Sequence, residues 1–127
     1  MKIWIDTDGG VDDALALACA FAAPRLELSG ISTVFGNVAP RKAARNAALV
    51  QSFFAPPHVG ISVGAVAPLS GSWRDAALIH GEDGIGGASA GHVLGYEAGH
   101  VQEDGPEVCA RRIAGFARKA GAADAII

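Results

Sequence analysis

The chain changes its hydrophobic period from block to block, and the blocks read as alternating strands and helices. Residues 2–5, Lys-Ile-Trp-Ile, are a short apolar run that ends in acids, the pattern of a buried strand. Residues 11–23 are rich in Ala and Leu, with Asp12 and Asp13 in the first turn, where carboxylates suit the helix dipole, and Pro24 stops them. Residues 26–34 are apolar and β-branched, a second strand closed by Phe35-Gly36-Asn37. Pro40 opens a second helix, running to about residue 54. Ala43, Ala47, Val50 and Phe54 follow helical spacing on its inner side, and Arg41 and Arg45 share the outer one. Pro56-Pro57 end it, and residues 59–63 read as a third strand. From about 64 to 105 the chain is rich in Gly, Ser and His without clear periodicity, so a long loop is predicted, functional or disordered. Asp104 and Glu107 have capping-box spacing before a last helix at 106–119, whose buried line would be Cys109, Ile113, Phe116 and Ala120. Gly121 ends it, and residues 122–127 start a fourth strand.

That order predicts an α/β fold: a Rossmann-like, mostly parallel sheet with flanking helices, in a single domain over residues 1–127. Because the fourth strand would end just before it could deliver a loop to a site at the sheet's carboxyl edge, the chain reads as part of a longer protein. Half of the residues are hydrophobic and 18% are charged, which argues against disorder. A net charge of -3 with scattered Lys and Arg gives no electrostatic reason to expect nucleic acid or a membrane as partner. Cys19 and Cys109 sit in apolar, Ala-rich contexts and read as two buried small side chains rather than a disulfide or a metal pair. Met1-Lys2 runs straight into a strand, leaving no room for a signal peptide, and a soluble, cytoplasmic protein is expected.

The chemistry concentrates in Asp6-Thr7-Asp8-Gly9-Gly10-Val11-Asp12-Asp13. Asp6 and Asp8 would share a face if strand geometry persists, and Asp12 and Asp13 return across the Gly9-Gly10 turn. Four acids packed together repel unless a cation or protons offset them, and hard oxygen ligands favour calcium or magnesium. Helix capping and turn chemistry would account for two of the acids but not for four.

This block closely resembles the N-terminal fingerprint of nucleoside hydrolases of the inosine-uridine preferring type, with Gly9 in place of a common Pro. Two further blocks fit in the same order: Thr33-Val34-Phe35-Gly36-Asn37, and His80-Gly81-Glu82-Asp83-Gly84-Ile85-Gly86-Gly87. The resemblance covers essentially the whole chain and implies the N-terminal part of an incomplete nucleoside hydrolase fold. It implies Ca2+ as cofactor, with Asp8 a ligand and the base that activates water, and Asp13 a second ligand. It implies Asp12 as an acceptor for ribose hydroxyls, Asn37 at the ribose or the calcium-bound water, and His80 near the nucleobase. The expected reaction is hydrolysis of a ribonucleoside to ribose and free base. Taken on its own, Asn37 would be a turn residue in the left-handed region after Gly36, and His80 an ordinary histidine. His58, His92 and His100 read as ordinary, and Trp73 and Tyr96 as packing residues.

By the same resemblance, relatives supply further calcium ligands from a loop after the fourth strand and from a distant Asp. These 127 residues are therefore expected to be inactive or nearly so alone, and to form a homo-oligomer through an exposed sheet edge. Two other readings stand beside this one. Asp6-x-Asp8-Gly9 also resembles the nucleophile motif of haloacid-dehalogenase-like phosphatases, with Asp6 attacking phosphate. The chain could also be a truncated domain that binds calcium or ribose without turnover.

Overall fold

The computed structural model describes residues 1–54, 59–91 and 100–127. Its sheet grows from β1 (Lys2–Thr7), which pairs in parallel with β2 (Glu27–Thr33) on one side and β5 (Ala125–Ile126) on the other. β3 (Ile61–Val63) and β4 (Val101–Gln102) follow beyond β2, giving the order β4-β3-β2-β1-β5 with every pairing parallel. The chain thus builds outward to β4 and then returns to the other side of β1. In open α/β sheets that reversal marks the crevice at the strands' carboxyl ends where ligands bind.

Strand alternation explains the two faces. Ile3, Ile5, Ile31, Ile61 and Val63 point to one side and pack on α1 (Val11–Ala22) and α2 (Pro40–Ser52) through Leu17, Ala20, Ala44, Ala47, Ala48 and Val50. Ile31 and Ile61 lie in register and are wholly buried, each contributing about 1.5–3 kcal/mol. Small Ala side chains let α2 approach the sheet closely, while Arg41 and Arg45 stay in solvent, as their spacing implied. The alternate residues Trp4, Ser32 and Ser62 face α4 (Gly105–Ala117), where Phe116 meets the Trp4 ring at 6.0 Å and the Cys109 thiol reaches the Ser62 carbonyl. Of the predicted inner line of α4, Cys109 is buried, and Ile113, Phe116 and Ala120 are half-buried.

The structure corrects four details. Cys19 is exposed, because helical rotation turns it away from the buried pair Leu17 and Ala20. Asp104 does not cap α4; its carboxylate accepts from Ser62 Oγ and from Arg112 Nε at 2.6 Å, while Glu107 pairs with Arg111. Asn37 is not left-handed, since no residue other than glycine has positive φ among the described residues. The predicted loop contains structure: α3 (Ala77–His80), a 3₁₀ turn at Ala88–Gly91, and β4. Pro56, Pro57, His58, His92 and Tyr96 lie outside the described residues. Among those described, no helix is long and apolar enough to cross a membrane.

Candidate active site

The four acids do not form one cluster. β1 ends at Thr7, so the alternation that would have put Asp6 and Asp8 on one face stops between them. Asp6 keeps the parity of Trp4 and faces α4: Ser32 Oγ donates to its carboxylate, and Trp4 Nε1 donates to Ser32 Oγ at 2.9 Å. Asp6 lines a small cavity there with Thr33, Gly64, Cys109 and Ile113. A phosphatase-type reading would need Asp6 in the same site as the other acids, and it is turned away from them.

Asp8, just beyond the strand, is clamped by one residue of the β2–α2 loop. The Asn37 backbone N–H donates to Oδ2 and its side-chain Nδ2 donates to Oδ1, both at 2.9 Å. Asp13, in the first turn of α1, accepts from Thr7 Oγ1 at 2.7 Å and from the Gly10 N–H at 3.0 Å. Thr7 Oγ1 in turn accepts from the Gly9 N–H at 3.2 Å, so a buried hydroxyl ties the strand end to the helix start. Gly9 has φ +77°, which excludes the proline common in the resembling fingerprint: a pyrrolidine ring holds φ near −65°. Gly9→Pro is therefore expected to destabilise the fold by about 3 kcal/mol or more, visible as a lowered thermal midpoint.

Burial pushes the Asp8 carboxyl above its ordinary value, and contact with Asp13 pushes it further. The Asn37 N–H pulls the other way, while the charges of Asp13 and Asp12 add to the rise. A hard cation beside Asp8 would relieve that repulsion and stabilise its charged form. Among the described residues no group of three or more His, Cys, Asp or Glu gathers into a metal site.

Asp12, Asn37 and His80 converge on Gly10. The position a Cβ would take there lies 2.4 Å from Asn37 Nδ2, 2.8 Å from Asp12 Oδ1 and 3.1 Å from His80 Cε1. Asp12 is exposed, with its Oδ1 3.9 Å from His80 Nδ1. His80 Nδ1 accepts from the Val11 N–H at 3.2 Å, which closes one open donor at the start of α1. Trp73 packs as expected of a loop residue, its Nε1 donating to the Gly36 carbonyl at 2.7 Å and its ring edge-on to Phe35.

Three contributors escaped the sequence reading: Thr7, Asn46 and Asp83. Asp83 braces the loop after His80, accepting from the N–H groups of Ile85, Gly87 and Ser89 and from Ser89 Oγ at 2.8–3.0 Å. Burial raises its carboxyl, but those donors, Gly87 first, outweigh it and hold the group well below its ordinary 3.8. A depressed folded value means the loop's extra stability is complete above pH 3.8 and is lost as pH falls below it. Asp83→Asn should flatten that acid limb, read as amide exchange at Gly87 and Ser89 between about pH 4 and pH 2. An unchanged acid limb would show that the carboxylate is not what holds the loop.

Comparison with known proteins follows the same lines. The sequence profile described as "Inosine-uridine preferring nucleoside hydrolase" matches residues 3–127. Uridine nucleosidase 1 of Arabidopsis thaliana is 44% identical over 89 residues, covering 69% of this chain and 26% of that protein. The non-specific ribonucleoside hydrolase RihC of Escherichia coli is 44% identical over 87 residues, covering 68% of this chain and 28% of that one. A purine-preferring ribonucleoside hydrolase from Gardnerella vaginalis superposes with a TM-score of 0.79 at 28% identity, over 99% of this chain and 39% of the other. The chain therefore spans well under half the length of the relatives it matches. With the Asp turn, the Gly36-Asn37 loop and the His80 loop meeting at one sheet edge, and a profile that runs from residue 3 to residue 127, the chain belongs to the inosine-uridine preferring nucleoside hydrolase family.

Proposed function

We propose that the chain contributes the sugar-binding half of a site that hydrolyses the N-glycosidic bond of ribonucleosides, giving ribose and free base. The observation that carries this reading is the Asp8 carboxylate, held by two Asn37 donors beside Asp13 at the strand-order reversal. Calcium, when bound, would offer charge to the ribose hydroxyls and lower the pKa of an attacking water. Asp8 and Asp13 would hold it, and Asp8 would take the proton from that water. Asp12 is exposed, so its carboxylate is open to ribose hydroxyls. Asn37 spends its Nδ2 on Asp8 and keeps Oδ1 for the ribose or the water. His80, with Nδ1 engaged by Val11, has Nε2–H left to donate to a departing base. Carboxylates close to the sugar would stabilise an oxocarbenium-like transition state.

Titration calorimetry with calcium, with and without ribose, tests this. Calcium binding that ribose strengthens is expected; no binding at millimolar calcium would overturn the reading. A second reading, binding without turnover, is favoured by the small ligand set, since calcium takes roughly six to eight oxygens. Assays of base release from inosine and uridine separate the two. The sheet edge at β5, where Ile126 and Ile127 are exposed, also supports self-association. Size-exclusion chromatography with light scattering should show species larger than 12.8 kDa, and a clean monomer would count against it.

A further inference from the structure

Asn46 lies in the middle of α2, 4% exposed, on the same stripe as the buried Ala43, Ala47 and Val50. A polar side chain on an apolar stripe needs partners, and this one has two. Its Nδ2 donates to the Gly9 carbonyl at 3.0 Å and to the Asp83 carbonyl at 2.7 Å. The first carbonyl belongs to the turn that carries Asp8 and leads into α1. The second lies three residues after His80. Both hydrogens of one amide nitrogen are thus spent on joining the two segments that form the site.

The loop after His80 is internally braced through the Asp83 carboxylate, and it also carries the Gly86 N–H to His80 carbonyl bond at 2.7 Å. Such a loop moves as a unit. Gripping its backbone at Asp83 therefore sets where His80 goes rather than how the loop is shaped. The other tie from α2 is Lys42 Nζ to the Glu82 carbonyl, an exposed contact that water can replace. The direct tie from Val11 N–H to His80 is also exposed and long at 3.2 Å. The Asn46 side chain is buried, and losing it would leave the buried Gly9 carbonyl and the partly buried Asp83 carbonyl without their donor.

We propose that Asn46 is a positioning residue: by bridging the Gly9 and Asp83 carbonyls it fixes the distance between the Asp turn and the His80 loop, and so seats the His80 imidazole on the Val11 N–H beside Asp12. The positional claim stands on these contacts alone; its consequence for base departure rests on the function proposed above.

A matched control exists on the same helix. Gln51 is 2% exposed and makes a similar double bond, accepting from the Val59 N–H at 2.9 Å and donating to the Val59 carbonyl at 3.3 Å, away from His80. The test compares Asn46→Ser, Asn46→Leu and Gln51→Leu in the 127-residue chain by nitrogen NMR of the His80 ring and amide exchange at Val11. Both Asn46 variants should move the His80 Nδ1 signal and speed Val11 exchange about tenfold, the worth of one hydrogen bond. Gln51→Leu should lower the thermal midpoint comparably and leave both His80 and Val11 as they were. Unchanged His80 signals in folded Asn46 variants would overturn the proposal, and so would an equal change in Gln51→Leu. Global unfolding of both Asn46 variants would overturn it too, because Asn46 would then be a residue of overall stability.

Discussion

Asp8→Ala is expected to weaken calcium binding at least about 100-fold while leaving the metal-free fold nearly as stable as before. Both halves follow from one geometry. In the proposed site Asp8 is one of two anionic ligands, and each tenfold in affinity is about 1.4 kcal/mol, so the loss corresponds to at least about 2.8 kcal/mol. Without a cation, the same carboxylate is half-buried beside Asp13 and within the field of Asp12, which is why its proton affinity is raised. Removing it costs two hydrogen bonds from Asn37 and relieves that repulsion, so the two effects oppose each other. In thermal melts with chelator the variant should lie within a few degrees of the parent. In calcium, the parent midpoint should rise by linkage and the variant's should not. A residue that only held the loop in place would give the reverse: a large drop in chelator and an intact response to calcium.

The pattern of apolar residues carried most of the fold because most elements bury a regular stripe. β1, β2, α2 and α4 were legible from spacing alone, and the parallel pairing followed from their alternation. β4 was not, because two residues are too few to show a period and Gln102 is exposed. α3 was hidden for a related reason: it buries nothing, and its Leu78 and Ile79 face solvent. The capping-box reading of Asp104 failed because a tertiary partner, Ser62 with Arg112, outcompetes a local one.

The site was legible as a list of residues more than as an arrangement. Asp8, Asp12, Asp13, Asn37 and His80 do meet, although three separate stretches of chain supply them. Asp6 does not join them, because the period of two ends at Thr7 and the turn beyond is shaped by Asn46 pulling on the Gly9 carbonyl. No local rule foretells that contact. A signal for Asn46 was nevertheless present, since it sits three residues after Ala43 and four before Val50, on a stripe otherwise apolar. Gln51, four after Ala47, carried the same mark. A buried-stripe amide is a residue that must be holding backbone somewhere, and here it holds the two halves of the site.

Gly36→Ala is expected to destabilise the fold by about 2–4 kcal/mol and to abolish the Asp8 clamp, although Gly36 touches neither cation nor sugar in the proposed site. Its backbone has no positive φ, so strain is not the reason. The reason is space: a Cβ built there would lie 2.0 Å from Asp8 Oδ2, 2.5 Å from Asp8 Cβ and 2.6 Å from Asp8 Cγ. The Asp8 side chain is short and its Cβ is fixed to the turn, so rotation of the carboxylate alone cannot clear the overlap. Either Asp8 swings away, losing both Asn37 donors, or the Gly36-Asn37 segment lifts. Lifting is resisted at three points: Trp73 Nε1 on the Gly36 carbonyl, the Ala76 N–H on the Asn37 carbonyl, and the Val38 N–H on the Asp8 carbonyl. The two outcomes are told apart by the indole resonance of Trp73, which stays put if Asp8 yields and moves if the loop does. In both, calcium affinity should fall about as far as in Asp8→Ala, but here the melting temperature in chelator should fall as well. A Gly36→Ala protein with the parent's stability and calcium affinity would show that the carboxylate of Asp8 is not held where the Asn37 clamp puts it.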